Sequence, residues 1–159
     1  MKRDNRGLTI AELIVTLALL GILAALLGAS VSTAFSAKEK SGAASIDAYL
    51  SLCRTRSLSR GGAPYIILGR DGESGEVWGE YYEGGVKLEK ESLADKGVPV
   101  SYSVGSDEPD GALSLNGAPL KIAFSGSTGA LETPGENLWI YVGKYKIKIY
   151  ALTGAHRFE

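Results

Sequence analysis

The pattern of apolar and polar positions divides the chain sharply. Residues 13–37 carry no charged side chain, about 25 in a row against the ~20 needed to cross hydrocarbon. Lys2, Arg3 and Arg6 precede this run, a bias that keeps an N-terminus cytoplasmic and sends the rest outward. One acid, Glu12, stands at the start of the apolar stretch, where a carboxylate is costly and needs a partner. The pattern then turns amphipathic. Ile46, Leu50, Cys53 and Ser57 recur at spacings of three and four, which puts them on one helical face. Lys38, Glu39, Lys40 and Asp47 are left for the membrane exit or solvent. No proline lies between residues 8 and 60, so one helix should run throughout, straight or loosened near Gly28. Gly61, Gly62 and Pro64 should end it.

After Pro64 the period shortens. Residues 65–68 read as a strand, 70–75 as a turn, 76–82 as the hairpin partner and 83–85 as a second turn. Residues 87–95 are mixed and charged, and a loop or a short turn of helix is expected there. Val98, Val100, Tyr102 and Val104 alternate with polar neighbours, as in a half-buried strand. Residues 106–111 read as a loop, 120–124 as a strand and 125–135 as a glycine-rich connection. Residues 138–142 and 145–152 form the clearest hairpin, with Ile147 and Ile149 on one side and Lys146 and Lys148 on the other. The expected class is α+β: a long N-terminal α-helix, membrane half plus amphipathic half, packed on a small antiparallel β-sheet domain.

Composition narrows the functions. With 159 residues, a net charge of −1 and a pI near 5.9, the whole chain makes no electrostatic case for nucleic acid. Cys53 is the single cysteine, so no intrachain disulfide can form, and His156 is the single histidine, so no His-based metal cluster is expected. Cys53 reads as a small core hydrophobe and His156 as solvated. No catalytic set assembles, so the chain reads as a non-enzyme without cofactor or metal. Asp107, Glu108 and Asp110 cluster oxygens of the kind calcium takes but lack EF-hand spacing, and an ordinary acidic turn is expected. Lys144, Lys146, Lys148 and Arg157, interleaved with Tyr145 and Tyr150, are the candidate DNA contacts, against the plainer reading of a solvated strand face. Trp78, Tyr81, Tyr82 and Trp139 are expected in the core or at the rim of a subunit contact.

The N-terminal residues admit several readings. Ser32-Thr33-Ala34 would serve as a signal-peptide cleavage site, although the apolar run exceeds the roughly 7–15 residues of such a core. A plain anchor would leave Glu12 snorkelling at the interface. A buried helix of a soluble protein would need a cover on every side, which nothing later in the chain supplies. The stretch Gly7-Leu8-Thr9-Ile10-Ala11-Glu12-Leu13-Ile14-Val15 resembles the class III signal sequence of type IV pilins and type II secretion pseudopilins. That resemblance implies cleavage between Gly7 and Leu8 by a prepilin peptidase, N-methylation of Leu8, and a role for Glu12 in recruiting the subunit to a fibre. A buried carboxylate and a neighbour's buried amine are each costly alone and tolerable as a pair.

Residues 49–61, 122–129 and 147–154 resemble segments of GspH/FimT-type minor pilins. The resemblance therefore implies a minor subunit of a type IV pilus, competence pilus or type II secretion pseudopilus. Its implied partners are the prepilin peptidase, other major and minor pilins or pseudopilins, and an inner-membrane assembly platform. It would pass once through the cytoplasmic membrane, N-terminus inside, before joining the pilus or pseudopilus. The expected divisions are a leader at 1–7, a transmembrane and fibre-core helix at 8–37, an amphipathic spine at 38–62 and a β domain at 63–159. The arginine-rich C-terminal motif of FimT proteins implicated in DNA uptake has no counterpart in Gly154-Ala155-His156-Arg157-Phe158-Glu159. The alternative is a membrane-anchored extracytoplasmic module that binds DNA or a surface.

Overall fold

The computed structural model describes residues 9–59 and 63–159, with backbone alone for residues 26–32. The chain forms two compact units, divided after Phe35. Helix α1, Ile10–Ser59, contributes to both, and its backbone is helical at Gly28, the position named for any loosening. Gly61 and Gly62, expected to end it, lie outside the described residues. In the first unit every large apolar side chain from Ile10 to Leu23 is at least 51% exposed.

In the second unit the helical stripe read from the sequence is buried. Ile46, Leu50, Cys53 and Ser57 are at most 1% exposed, and the apolar members join a single core with the sheets. Ser57 is tolerated there because its hydroxyl donates to the Cys53 carbonyl at 3.0 Å, which pairs its own buried donor.

Ten strands follow: β1 (Tyr65–Arg70), β2 (Val77–Glu83), β3 (Val86–Ala94), β4 (Val100–Val104), β5 (Leu113–Ser114), β6 (Leu120–Phe124), β7 (Leu131–Thr133), β8 (Leu138–Val142), β9 (Tyr145–Ile149) and β10 (His156–Phe158). They build two antiparallel sheets rather than one, ordered β3-β2-β1-β6-β7 and β10-β9-β8-β4-β5. The class is α+β as expected. Ile66, Leu68, Ile122, Leu138, Ile140, Ile147 and Ile149 supply the sheets' share of the core, each at most 1% exposed.

Three local expectations are corrected. Residues 87–95 lie largely in β3 rather than in a loop or a turn of helix. β3 is an edge strand that pairs with β2. Its residues 86–92 are exposed, and burial is confined to Leu93 and Ala94. Such an edge does not need alternating apolar residues, and the charges of Lys87, Glu89, Lys90 and Glu91 hinder pairing with other chains. The connection 125–135 contains β7. The strand expected at 145–152 stops at Ile149, and the chain returns as β10. Among the aromatics, Tyr81 and Trp139 are buried, whereas Trp78 and Tyr82 are half-buried.

At one point helix and sheet approach closely. The Tyr49 ring lies against Gly79 of β2, in space that any Cβ would occupy.

Candidate functional site

The N-terminus of α1 is built around Thr9 and Glu12. The Glu12 amide donates to Thr9 Oγ1 at 3.3 Å. In return the Thr9 amide and hydroxyl each donate to Glu12 Oε2 at 2.9 Å. This is a reciprocal capping box, which satisfies helix-end donors that otherwise have no partner. Thr16, one turn further on, donates its hydroxyl to the carbonyls of Glu12 and Leu13 at 2.7 and 2.9 Å. Thr9, Glu12 and Thr16 are spaced by three and four, so they share one face.

The carboxylate is therefore held within its own chain, at the start of a stretch whose large apolar side chains, Ile10 to Leu23, are exposed. Thr9 was read from the sequence only as part of a larger motif. The spacing Thr9-x-x-Glu12 is itself the capping signature that identifies its role. Gly7 and Leu8, the expected cleavage and methylation positions, lie outside the described residues. Among the described residues no helix is long and apolar enough to cross a membrane; residues 26–32, part of the expected span, have no described side chains.

The candidate DNA contacts lie on the second sheet. β9 pairs Lys146 with Tyr141 and Lys148 with Trp139 of β8, and Arg157 of β10 stands opposite Lys148. Alternation thus places Lys146, Lys148 and Arg157 on one face, with Lys144 in the β8–β9 turn. Two of these charges are already engaged. Lys146 Nζ is 2.8 Å from Asp107 Oδ2 and 3.8 Å from Glu159 Oε2. Arg157 Nε is 3.3 Å from Glu159 Oε1. Lys148 instead lies over the Trp139 and Tyr150 rings, 5.4 and 4.7 Å from their centres. Lys144 lies 5.4 Å from the centre of the Tyr145 ring.

The acidic turn has the complementary role. Asp107 accepts hydrogen bonds from Lys146 and from the Tyr141 hydroxyl at 2.9 Å, and these hold its carboxyl below the usual range. Among the described residues no three His, Cys, Asp or Glu side chains converge as metal ligands.

Cys53 and His156 do not meet as a catalytic pair. Cys53 is 1% exposed, and burial pushes its thiol up to about 12, away from the thiolate that reactivity requires. His156, expected in solvent, sits on β10 with its side chain 13% exposed. Ser51 Oγ and Asp47 Oδ1 stand 2.8 and 3.5 Å from the same ring nitrogen, Nε2, while Nδ1 is buried without a hydrogen bond. A serine–histidine–aspartate relay needs its serine and carboxylate on opposite ring nitrogens. Here both stand on Nε2, so the three residues form a hydrogen-bonded contact between β10 and α1 without that geometry.

No curated protein and no solved structure matches the chain. Residues 2–28 do match a family model, the prokaryotic N-terminal methylation motif. That match contains Gly7, Leu8 and the Thr9–Glu12 cap, and with it the chain carries the signature of a type IV prepilin.

Proposed function

We propose that this protein is a minor pilin-like, or pseudopilin, structural subunit that works by assembly rather than catalysis. Its machine would be a type IV pilus, a competence pilus or a type II secretion pseudopilus. The carrying observation is Glu12: the one acidic residue of a bare apolar helix start, held by Thr9 inside a matched methylation motif. In this reading prepilin peptidase removes residues 1–7 and methylates Leu8. Residues 8–37 anchor the subunit in the cytoplasmic membrane and then enter the fibre core. Residues 38–62 form the spine of the β domain at 63–159, which faces outward. Glu12 exchanges its Thr9 donors for the amine of a neighbouring subunit, and an inner-membrane platform drives the extraction.

The test is intact mass and N-terminal sequencing after co-expression with prepilin peptidase. The expected product begins at N-methyl-Leu8. A product beginning near Phe35 would make this a secreted domain, and an uncut chain would leave a plain anchor. A second reading, a membrane-anchored module for DNA or a surface, is favoured by one observation: Lys148 lies over two aromatic rings on the outer strand face.

A further inference from the structure

The stretch from Tyr150 to Glu159 divides into a pinned turn and a loosely held strand. The turn is fixed from several sides. The Leu131 amide donates to the Ala151 carbonyl and the Ala151 amide to Asn137 Oδ1, at 2.8 and 2.9 Å. Arg54 Nη2 reaches the Thr153 carbonyl at 3.1 Å. Gly154, at φ +61°, is seated so closely on the Gly129 carbonyl that no Cβ fits between them.

Residues 155–159 differ. None of them is buried, and none belongs to the core. They are held by three-residue pairing with β9, by the reciprocal amides of Lys146 and Glu159, by the Tyr150 amide on the Ala155 carbonyl at 2.9 Å, by the contact of His156 Nε2 with Ser51 Oγ at 2.8 Å, by the Lys146–Glu159 ion pair at 3.8 Å, and by the stack of Phe158 on Tyr145 at 5.6 Å. The one side chain they insert is His156. Its seat leaves His156 Nδ1 and Asp47 Oδ1 buried without a hydrogen bond, two of five such atoms among the described residues. Unsatisfied buried polar atoms oppose closure rather than favour it.

We infer that residues 155–159 form a strap, hinged at Gly154, that opens from α1 and β9 without unfolding the rest of the domain. Closed, it covers the outer edge of β9. Open, it hydrates Asp47, Ser51 and His156 and turns β9 into the edge of its sheet. The strap is independent of the prepilin reading, because every contact involved lies beyond residue 46.

Residue-resolved hydrogen exchange on the full chain in detergent micelles tests the strap. The amides of Glu159 and Lys146, which bond each other's carbonyls, should exchange together, at least ~100-fold faster than the amides of β8, as local opening requires. Asp47→Leu combined with His156→Leu replaces the unsatisfied pair with apolar groups. It should slow exchange of the Glu159 and Lys146 amides by about 10-fold and leave β8 unchanged. Equal protection of strap and β8 in the wild type would overturn the inference. So would a folded double variant with unchanged strap exchange. If that variant does not fold, the wild-type comparison still decides.

Discussion

Replacing Gly79 with alanine probes how α1 is seated on the first sheet. Gly79 stands in β2 opposite Leu68 and Glu91. A Cβ there would lie 2.6 Å from Tyr49 Cε1, 3.1 Å from Tyr49 Cδ1 and 2.7 Å from Leu93 Cδ1. Leu93 Cδ1 ends a flexible side chain and can swing aside. The Tyr49 ring, 4% exposed, yields only if the helix moves with it. Overpacking of this kind costs about 1–3 kcal/mol, and alanine recovers roughly 0.5–1 kcal/mol of the strand cost of glycine. Because the ring is fixed, the upper part of that range applies, about 2–3 kcal/mol, and the net expectation is a loss of about 1–2.5 kcal/mol. Urea unfolding of the full chain in detergent, followed by the fluorescence of Trp78 and Trp139, should show a lower midpoint at unchanged slope. Adding Tyr49→Leu should relieve the clash, so the two changes couple by about 1 kcal/mol or more. Unaltered stability in Gly79→Ala, or strict additivity in the pair, would refute the close seating of helix on strand.

Three further outcomes follow from the same contacts. Thr9→Val should remove the reciprocal cap, so that amides at residues 9–12 lose protection in micelles while Thr9→Ser keeps it; equal protection in both would mean the cap is not formed. Cys53 should stay unlabelled by maleimide in the native chain and react once it is unfolded, and rapid native labelling would contradict its burial. The carboxyl of Asp107 is lowered by Lys146 and Tyr141, so its contribution is complete above the unfolded value of about 3.9 and is lost as pH falls through the lower folded value. Asp107→Asn should therefore flatten the acid limb of the stability–pH curve, and an identical acid limb in the variant would count against the pair.

What could be read in advance depended on whether a residue's partner was near in sequence. The buried stripe Ile46, Leu50, Cys53 and Ser57 was legible because helical periodicity lies within a dozen residues. β1, β2, β6 and β8 were legible as runs of branched or aromatic residues bounded by turns. β3 was not, because a charged edge strand suppresses the apolar alternation used to find strands. β7 and β10, three residues each, are too short to show any period. The fate of Lys146 was equally hidden, since Asp107 is 39 positions away. By contrast, Thr9 and Glu12 are three apart, and their cap was written in the sequence although it was read only as part of a signal.

The charge pairing also sets how the DNA reading must behave if it is to stand. Each phosphate neutralised by a free cation contributes about −0.9 to the slope of log K against log salt on duplex DNA. Four available charges would give a slope near −3.6. Here Lys146 is engaged by Asp107 and Glu159, and Arg157 by Glu159, so the strand face offers Lys148 as its remaining cation, with Lys144 beside it in the turn. The expected slope is thus no steeper than about −2, with weak binding that Lys148→Ala removes. Titrating a duplex oligonucleotide into the full chain at several salt concentrations measures it. A slope near −3.6 would require Asp107 and Glu159 to release their partners on binding, and the ridge would then act as a nucleic-acid surface after all. A slope of about −2 confines the contact to Lys148 and Lys144, whereas no salt-dependent binding leaves the outward face a solvated one, and the functional weight of the chain then stays with Glu12 and the helix that carries it.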